Sequence, residues 1–289
     1  MHNFIIICII LLSLYIQGGF YGEKKKSVCN PASYGCLPGF LLPVNVQAAS
    51  KLRSKFDHKA SGNIYYYDKK GKTVKGLVKI RGKKYYFNEK GIQQNGWQKI
   101  KGNYYFFQIR NGSYAYMVTN RRVNNIYLDK NGRAKYNSEE LRKLKIMVIA
   151  NQVMRQVTRR NMSKPEKLWK CYLRAVNYNY GGGGNDYDFR YYYSNWDVSY
   201  AEDMFYRGAG DCFAFASAFA YLANAIGSFD AKVISSGGHG WAEIKGKVCD
   251  PNWAKVTGQT ERYYRMDYGL SGVDGRPYYR GNRAYVITI

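Results

Sequence analysis

Cys212, His239 and Asp250 follow one another in the last third of the chain, and His239 is the only histidine after residue 58. A cysteine nucleophile needs a base to take its proton, and that base needs a carboxylate or amide to hold its tautomer. All three residue types lie within 39 residues of one another. Together they could cleave or transfer an acyl group through a thioester.

The elements that must position these side chains can be read from their surroundings. Gly210-Asp211-Cys212 opens a run of small and apolar residues, Phe213 to Gly227, that predicts one buried helix with Asp211 as N-cap and Gly227 as its stop. Cys212 then sits in the first turn, where unpaired N–H groups and the helix dipole favour a thiolate. Trp241–Ile244 and Lys247–Asp250 flank Lys245-Gly246 and read as two strands around a two-residue turn. In that register 244 faces 247 and 241 faces 250, so His239 lies diagonal to Asp250 on one sheet face, within reach of its carboxylate. Cys249 alternates to the opposite face and is expected to pack. Cys212 as a core residue, or as half of a disulfide with Cys171 or Cys249, is the competing reading.

Gly210-Asp-Cys212 leading a helix, His239-Gly-Trp241 beginning a strand and Asp250-Pro251 ending the next resemble the three motifs of the transglutaminase-like superfamily, relatives of papain-type peptidases. The resemblance spans about residues 137 to 260. It includes an upstream helix from Ser163 to Tyr180, begun by a Ser163/Glu166 capping box. It implies an α+β fold with Cys212 as nucleophile, His239 as general base and Asp250 as its partner. The implied reaction is acyl transfer from an amide, ending on water (peptidase or amidase) or on an amine (cross-linking), with a protein or peptide substrate at Cys212 and no cofactor. The Cys212 N–H is expected in the oxyanion hole. Asp211, Trp241, Tyr200 and Trp196 are the candidate supporting residues. No Cys-x-x-Cys or His-x-x-x-His pair occurs, so no metal site is expected.

Upstream, Gly62, Gly82 and Gly102 recur every 20 residues, each followed by an aromatic cluster: Tyr65–Tyr67, Tyr85–Phe87 and Tyr104–Phe107. Gly71, Gly91, Gly112 and Gly132 mark a second turn in each unit. This punctuation predicts stacked β-hairpins, each too small to bury a face alone. Gly96 to Tyr105 resembles the cell-wall-binding repeat of the choline-binding type, found on surface proteins of Gram-positive bacteria. That resemblance implies aromatic cages for a quaternary ammonium, and Tyr66, Tyr85, Tyr86, Trp97, Tyr104 and Tyr105 are the candidate binding residues. Leu77 stands one period before Trp97, and residues 60–136 carry 17 Lys and Arg against Asp68, Glu89 and Asp129. That field favours an anionic wall polymer over a cation as partner of residues 61–136.

The whole chain has a net charge of +25 over 289 residues and 30 tyrosines. Phe4–Ile16 suits the apolar core of a signal peptide, and Val46-Gln47-Ala48 an export cleavage site. Export disfavours nucleic acid as the partner of the positive charge, and Gly181–Gly184 lacks the Gly-Lys-Ser/Thr ending of a phosphate loop. Cleavage after Ala48 would leave Cys171, Cys212 and Cys249, an odd count that keeps at least one thiol outside internal pairs. The expected organisation is a targeting segment (1–48), a linker (49–60), β-hairpin repeats (61–136) and a transglutaminase-like domain (137–289). Asn137 and Glu140 cap that domain's first helix, with Leu141, Leu144, Ile146, Val148, Ile149 and Val153 as its apolar stripe. A tyrosine-rich loop (187–200) and a short helix near 201–205 are expected between its second helix and Cys212. The expected activity is thus that of a secreted, wall-associated cysteine enzyme. The alternative is a non-catalytic wall-binding or adhesion module.

Overall fold

The 20-residue period becomes a series of two-stranded antiparallel hairpins in the computed structural model: β1 (Lys55–His58) with β2 (Ile64–Tyr67), β3 (Gly76–Ile80) with β4 (Lys83–Phe87), and β5 (Gly96–Ile100) with β6 (Asn103–Phe107). The structure describes residues 52–109, 114–181, 194–270, 279 and 283–289. The targeting segment, Cys8, Cys29, Cys36, Gly112, most of the Gly181–Gly184 run and residues 187–193 of the expected loop lie outside them.

The second and third hairpins turn on Arg81-Gly82 and Lys101-Gly102, with φ of 47° and 81° at the two positions in each. Two left-handed residues in succession make the turn whose twist matches paired strands, and only the second position is glycine here. After the first two hairpins, and again after Leu128, the chain reverses through a side-chain-capped loop. The Asp68 carboxylate accepts from the N–H groups of Lys70 and Lys72, Asn88 from Lys90 and Ile92, and Asp129 from Asn131 and Arg133. Single bridges, Tyr67 to Thr73, Phe87 to Gln93 and Phe107 to Met117, then tie each unit to the chain that follows. The unit that sequence reading leaves degenerate forms a three-stranded sheet from β7 (Arg121–Val123), β8 (Ile126–Leu128) and β9 (Ala134–Lys135).

The helical part begins at α1 (Ser138–Val157) and α2 (Lys164–Val176), both opened by the expected capping boxes, Asn137 with Glu140 and Ser163 with Glu166. The buried face of α1 is broader than the predicted stripe. Leu144, Ile146, Met147, Ala150, Asn151 and Met154 are buried, whereas Leu141, Val148, Ile149 and Val153 are only half-buried. The helix is gripped from two sides, by the repeats and by the later helices, so one stripe does not suffice.

The predicted helix near 201–205 starts earlier: α3 (Trp196–Glu202) runs into one π-helical segment (Asp203–Arg207). A two-residue parallel pair, β10 (Asn179–Tyr180) with β11 (Ala209–Gly210), then leads into α4 (Cys212–Ala225). That helix stops two residues short of Gly227 and is buried from Phe213 onward. An antiparallel sheet of order β14-β13-β12-β15 covers it, from β12 (Lys232–Ser235), β13 (Gly240–Ile244), β14 (Lys247–Cys249) and β15 (Tyr285–Thr288). Between β14 and β15 lies a helix that the sequence reading missed, α5 (Pro251–Thr257).

One core unites both halves. Trp97, Tyr104, Phe106, Ile126 and Leu128 of the hairpins belong to the same buried cluster as Phe215 and Phe219 of α4 and Trp241 of β13. The change at residue 137 is therefore one of element type, with the apolar interior continuous across it.

Candidate active site

The Cys212, His239 and Asp250 side chains come from three different elements. Asp211 has extended backbone and caps α4, its Oδ1 accepting from the N–H groups of Phe213 (3.0 Å) and Ala214 (3.1 Å). That cap starts the helix at Cys212, which is partly exposed. All three cysteines of the described region are free thiols; Cys171 and Cys249 are fully buried. Burial pushes both of those thiols up to about 12, which keeps them protonated and inert at neutral pH. The disulfide alternative is thus not realised.

β13 carries the histidine at its leading end, where Ser236 donates both its N–H (2.9 Å) and its hydroxyl (3.2 Å) to the His239 carbonyl. The β13–β14 register pairs Ile244 with Lys247 and Ala242 with Cys249 around Lys245-Gly246, the two-residue turn expected from the sequence. Asp250 follows directly, and His239 Nε2 lies 2.5 Å from Asp250 Oδ2. The strand reaches the helix through Gly240, since a Cβ there would fall 2.4 Å from the Phe213 ring. Only glycine lets the residue after His239 lie against the residue after Cys212.

Asp250 is completely buried and fixed at every polar atom. Its Oδ1 accepts from the Trp253 N–H (3.0 Å), which caps α5, and its Oδ2 accepts from the Tyr279 hydroxyl (2.7 Å). Its backbone is held too, the N–H donating to Tyr263 and the carbonyl accepting from the Tyr172 hydroxyl. The imidazole sits among aromatic rings: Trp241 stacks at 6.2 Å, while Trp253 and Tyr279 approach at 6.3 and 6.4 Å. Trp241 is held in turn by a bond from its Nε1 to Tyr268, whose hydroxyl donates to Glu243.

Burial of the imidazole opposes its charging, but the Asp250 charge and hydrogen bond, with the hydrogen bond and charge of Cys212, outweigh it and raise His239 to about 10. The carboxylate occupies Nε2, so Nδ1 is the nitrogen left for chemistry at the sulfur. The arrangement can hold an imidazolium beside a thiol and deliver its proton to a group bound there.

Of the supporting residues inferred from sequence, Asp211 and Trp241 belong to this structure directly. Trp196 and Tyr200 instead pack on the Phe213 ring, at 6.1 and 5.4 Å, and are buried. Tyr279 and Tyr172 were missed; among 30 tyrosines neither carries a local signal. Among the described residues, no group of three or more His, Cys, Asp and Glu could hold a metal.

The candidate wall-binding aromatics separate by burial. Trp97 and Tyr104 are each 2% exposed and face the core shared with the helices, with Trp97 Nε1 donating to Asn124. That placement takes these two candidate wall-binding aromatics out of solvent, because the helical half shares their core. Tyr85 and Tyr105 are buried in small clusters within the hairpins. Tyr66 and Tyr86 are half-buried, the first edge-on to Phe56 and the second stacked on Phe107.

Residues 74–121 match the family model of the choline-binding repeat. Solved structures similar to this chain include choline-binding protein F of Streptococcus pneumoniae (28% identity, 29% of each chain, TM-score 0.25). Another is the choline-binding domain of a second S. pneumoniae protein (24% identity, 28% of this chain and 93% of that one, TM-score 0.25). A third is the pneumococcal cell-wall endolysin of phage Cp-1 (26% identity, 30% of this chain and 25% of that one, TM-score 0.22). This chain thus spans under a third of the first and third of these proteins. No curated protein matches it.

Proposed function

We propose that this protein is a wall-associated cysteine enzyme that transfers acyl groups from amides, held at the cell surface by its choline-type repeats. The observation that carries the catalytic reading is the His239–Asp250 contact at 2.5 Å with Cys212 acting on the same ring. In this reading the Cys212 thiolate attacks an amide carbonyl, the Nδ1 proton of His239 passes to the leaving amine, and the C–N bond breaks to leave a thioester. Water or an amine then attacks the thioester, returns a proton to Nδ1 and frees the thiolate. The Cys212 N–H, first in α4, is a donor for the oxyanion. The match over residues 74–121 supports wall association. Burial of Trp97 and Tyr104 and the positive charge of the hairpins favour an anionic polymer over a cage for a cation.

The experiment is acyl trapping. The protein is incubated with wall peptides, quenched in acid and mass-mapped, alongside iodoacetamide labelling with and without His239→Ala. An acyl adduct on Cys212, with labelling below pH 7 that slows in the variant, is the expected result. An unacylated Cys212 that labels as an ordinary thiol, indifferent to His239, would sink the reading.

A further inference from the structure

Helix α4 separates Cys212, its first residue, from a cleft of about 220 Å³. The 14 residues of the helix put roughly 20 Å between the two places. Four separate stretches of chain build the cleft. Lys164, Pro165 and Leu168 come from the start of α2, Ser228 follows α4, Ile244 and Lys245 end β13 and open its turn, and Arg265 adjoins the bridge from Met266 to Val248. Their burial differs. Leu168, Ser228 and Ile244 are at most 6% exposed, whereas Lys245 and Arg265 are exposed. The cleft therefore has a buried, mainly apolar floor and a cationic rim.

No Asp or Glu is among its lining residues. Asp230 acts on Lys164 from outside, and its carboxylate accepts from the Lys245 N–H (3.0 Å). Burial lowers Lys164, and there the charge of Lys245 outweighs that of Asp230. Lys164 Nζ gives one of its three hydrogens to the Gly227 carbonyl (2.6 Å), which leaves two to donate. At the floor stands a hydroxyl with nothing to bond. Ser228 is 1% exposed; its N–H donates to Ala223 and its carbonyl accepts from Ala231, but its Oγ has no hydrogen-bond partner among the described residues. A buried hydroxyl left in that state is destabilising until a partner reaches it.

We propose that this cleft binds the carboxylate of an apolar organic acid, either a free short-chain acid or the C-terminal residue of a peptide. Lys164, Lys245 and Arg265 supply the positive charge, the Ser228 hydroxyl donates to a carboxylate oxygen, and Pro165, Leu168 and Ile244 receive the apolar stem. The size agrees. An apolar cavity of about 150 Å³ admits benzene, and the larger volume here takes a leucine-sized group with its carboxylate at the rim. The site is independent of Cys212, so this binding and the acylation of the cysteine succeed or fail separately.

The test is calorimetric titration of the full chain, in chloride buffer at constant ionic strength, with 4-methylpentanoate, N-acetyl-leucine, N-acetyl-leucinamide, acetate and inorganic phosphate. We expect saturable binding of one or both apolar acids, weakened about tenfold by Lys245→Gln or Arg265→Gln and unchanged by Lys79→Gln on β3, outside the cleft. Ser228→Ala separates a ligand role from a structural one. It should weaken binding severalfold while leaving the melting temperature of the free protein unchanged or higher, since the hydroxyl it removes has no partner there. That variant keeps the proposal testable should Arg265→Gln misfold by near-ultraviolet circular dichroism. Binding of N-acetyl-leucine, alone or with the free acid, identifies a peptide terminus, and binding of 4-methylpentanoate alone a free acid. Absence of saturable binding by either acid would overturn the proposal. So would leucinamide, acetate or phosphate binding as tightly as the acids, or an affinity indifferent to the cleft substitutions.

Discussion

At the scale of single residues, the site rests on one buried carboxylate that faces both an imidazole and a phenol. Because His239 is raised from 6.5 to about 10, its protonated form stabilises the fold. That contribution is complete below about pH 6.5 and is lost as pH climbs through about 10. Denaturant unfolding of the wild type and His239→Gln between pH 6 and 10 should therefore show the wild-type advantage shrinking by a few kcal/mol, with ~1.4 kcal/mol per unit of displacement as the ceiling. A gap that stays constant across that range would contradict the raised histidine. The order Cys212, His239, Asp250 could be read from the chain because each residue stands beside a structural signal: an N-cap, a strand start, a proline. Tyr172 and Tyr279 could not. They reach Asp250 from 78 and 29 residues away, and nothing in their neighbours sets them apart from the other tyrosines.

Among elements, the decisive contact is the close approach of β13 to α4. Gly240 has an ordinary backbone conformation, so its requirement is space alone: a methyl group would meet the Phe213 ring at 2.4 Å and its Cα at 3.2 Å. Gly240→Ala must then push the strand outward and carry His239 away from Cys212. A displacement near 1 Å at a reacting pair can lower the rate about a hundredfold. The variant should stay folded by circular dichroism, while iodoacetamide labelling of Cys212 loses its dependence on His239. Labelling identical to wild type would show that the strand has slack. Capping boxes made α1 and α2 legible, since Asn137–Glu140 and Ser163–Glu166 are short-range signals. The start of α5 carried a comparable one, Asp250 followed by Pro251 at the first helical position. The same residue also ends β14 and faces His239, and those roles mask the cap in the sequence. α3 begins before the predicted 201–205 for another reason: Trp196 to Glu202 has no side-chain cap, and packing of Trp196 and Tyr200 on Phe213 stabilises its start instead.

For the whole molecule, the distinction is between two detachable modules and one fold in which the hairpins complete the core of the helical half. A chain of hairpins followed by helices reads as two modules, because periodicity says where units repeat but not which face another element will cover. The structure joins them through more than apolar packing. Asn151 of α1 donates to the carbonyls of Asn95 and Trp97, and Asn124 of the repeats links the Trp97 indole to the carbonyl of Ile289. Losing one large aromatic from a core costs about 3–5 kcal/mol, and the hairpins contribute Trp97, Tyr104 and Phe106 to this one. Their combined removal approaches or exceeds the ~5–15 kcal/mol margin of an ordinary domain. Residues 137–289 expressed alone should therefore lack near-ultraviolet circular dichroism and a cooperative melt, whereas residues 50–289 should unfold in one transition seen alike by far- and near-ultraviolet signals. A fragment 137–289 that melts cooperatively at the temperature of the longer chain would refute the shared core.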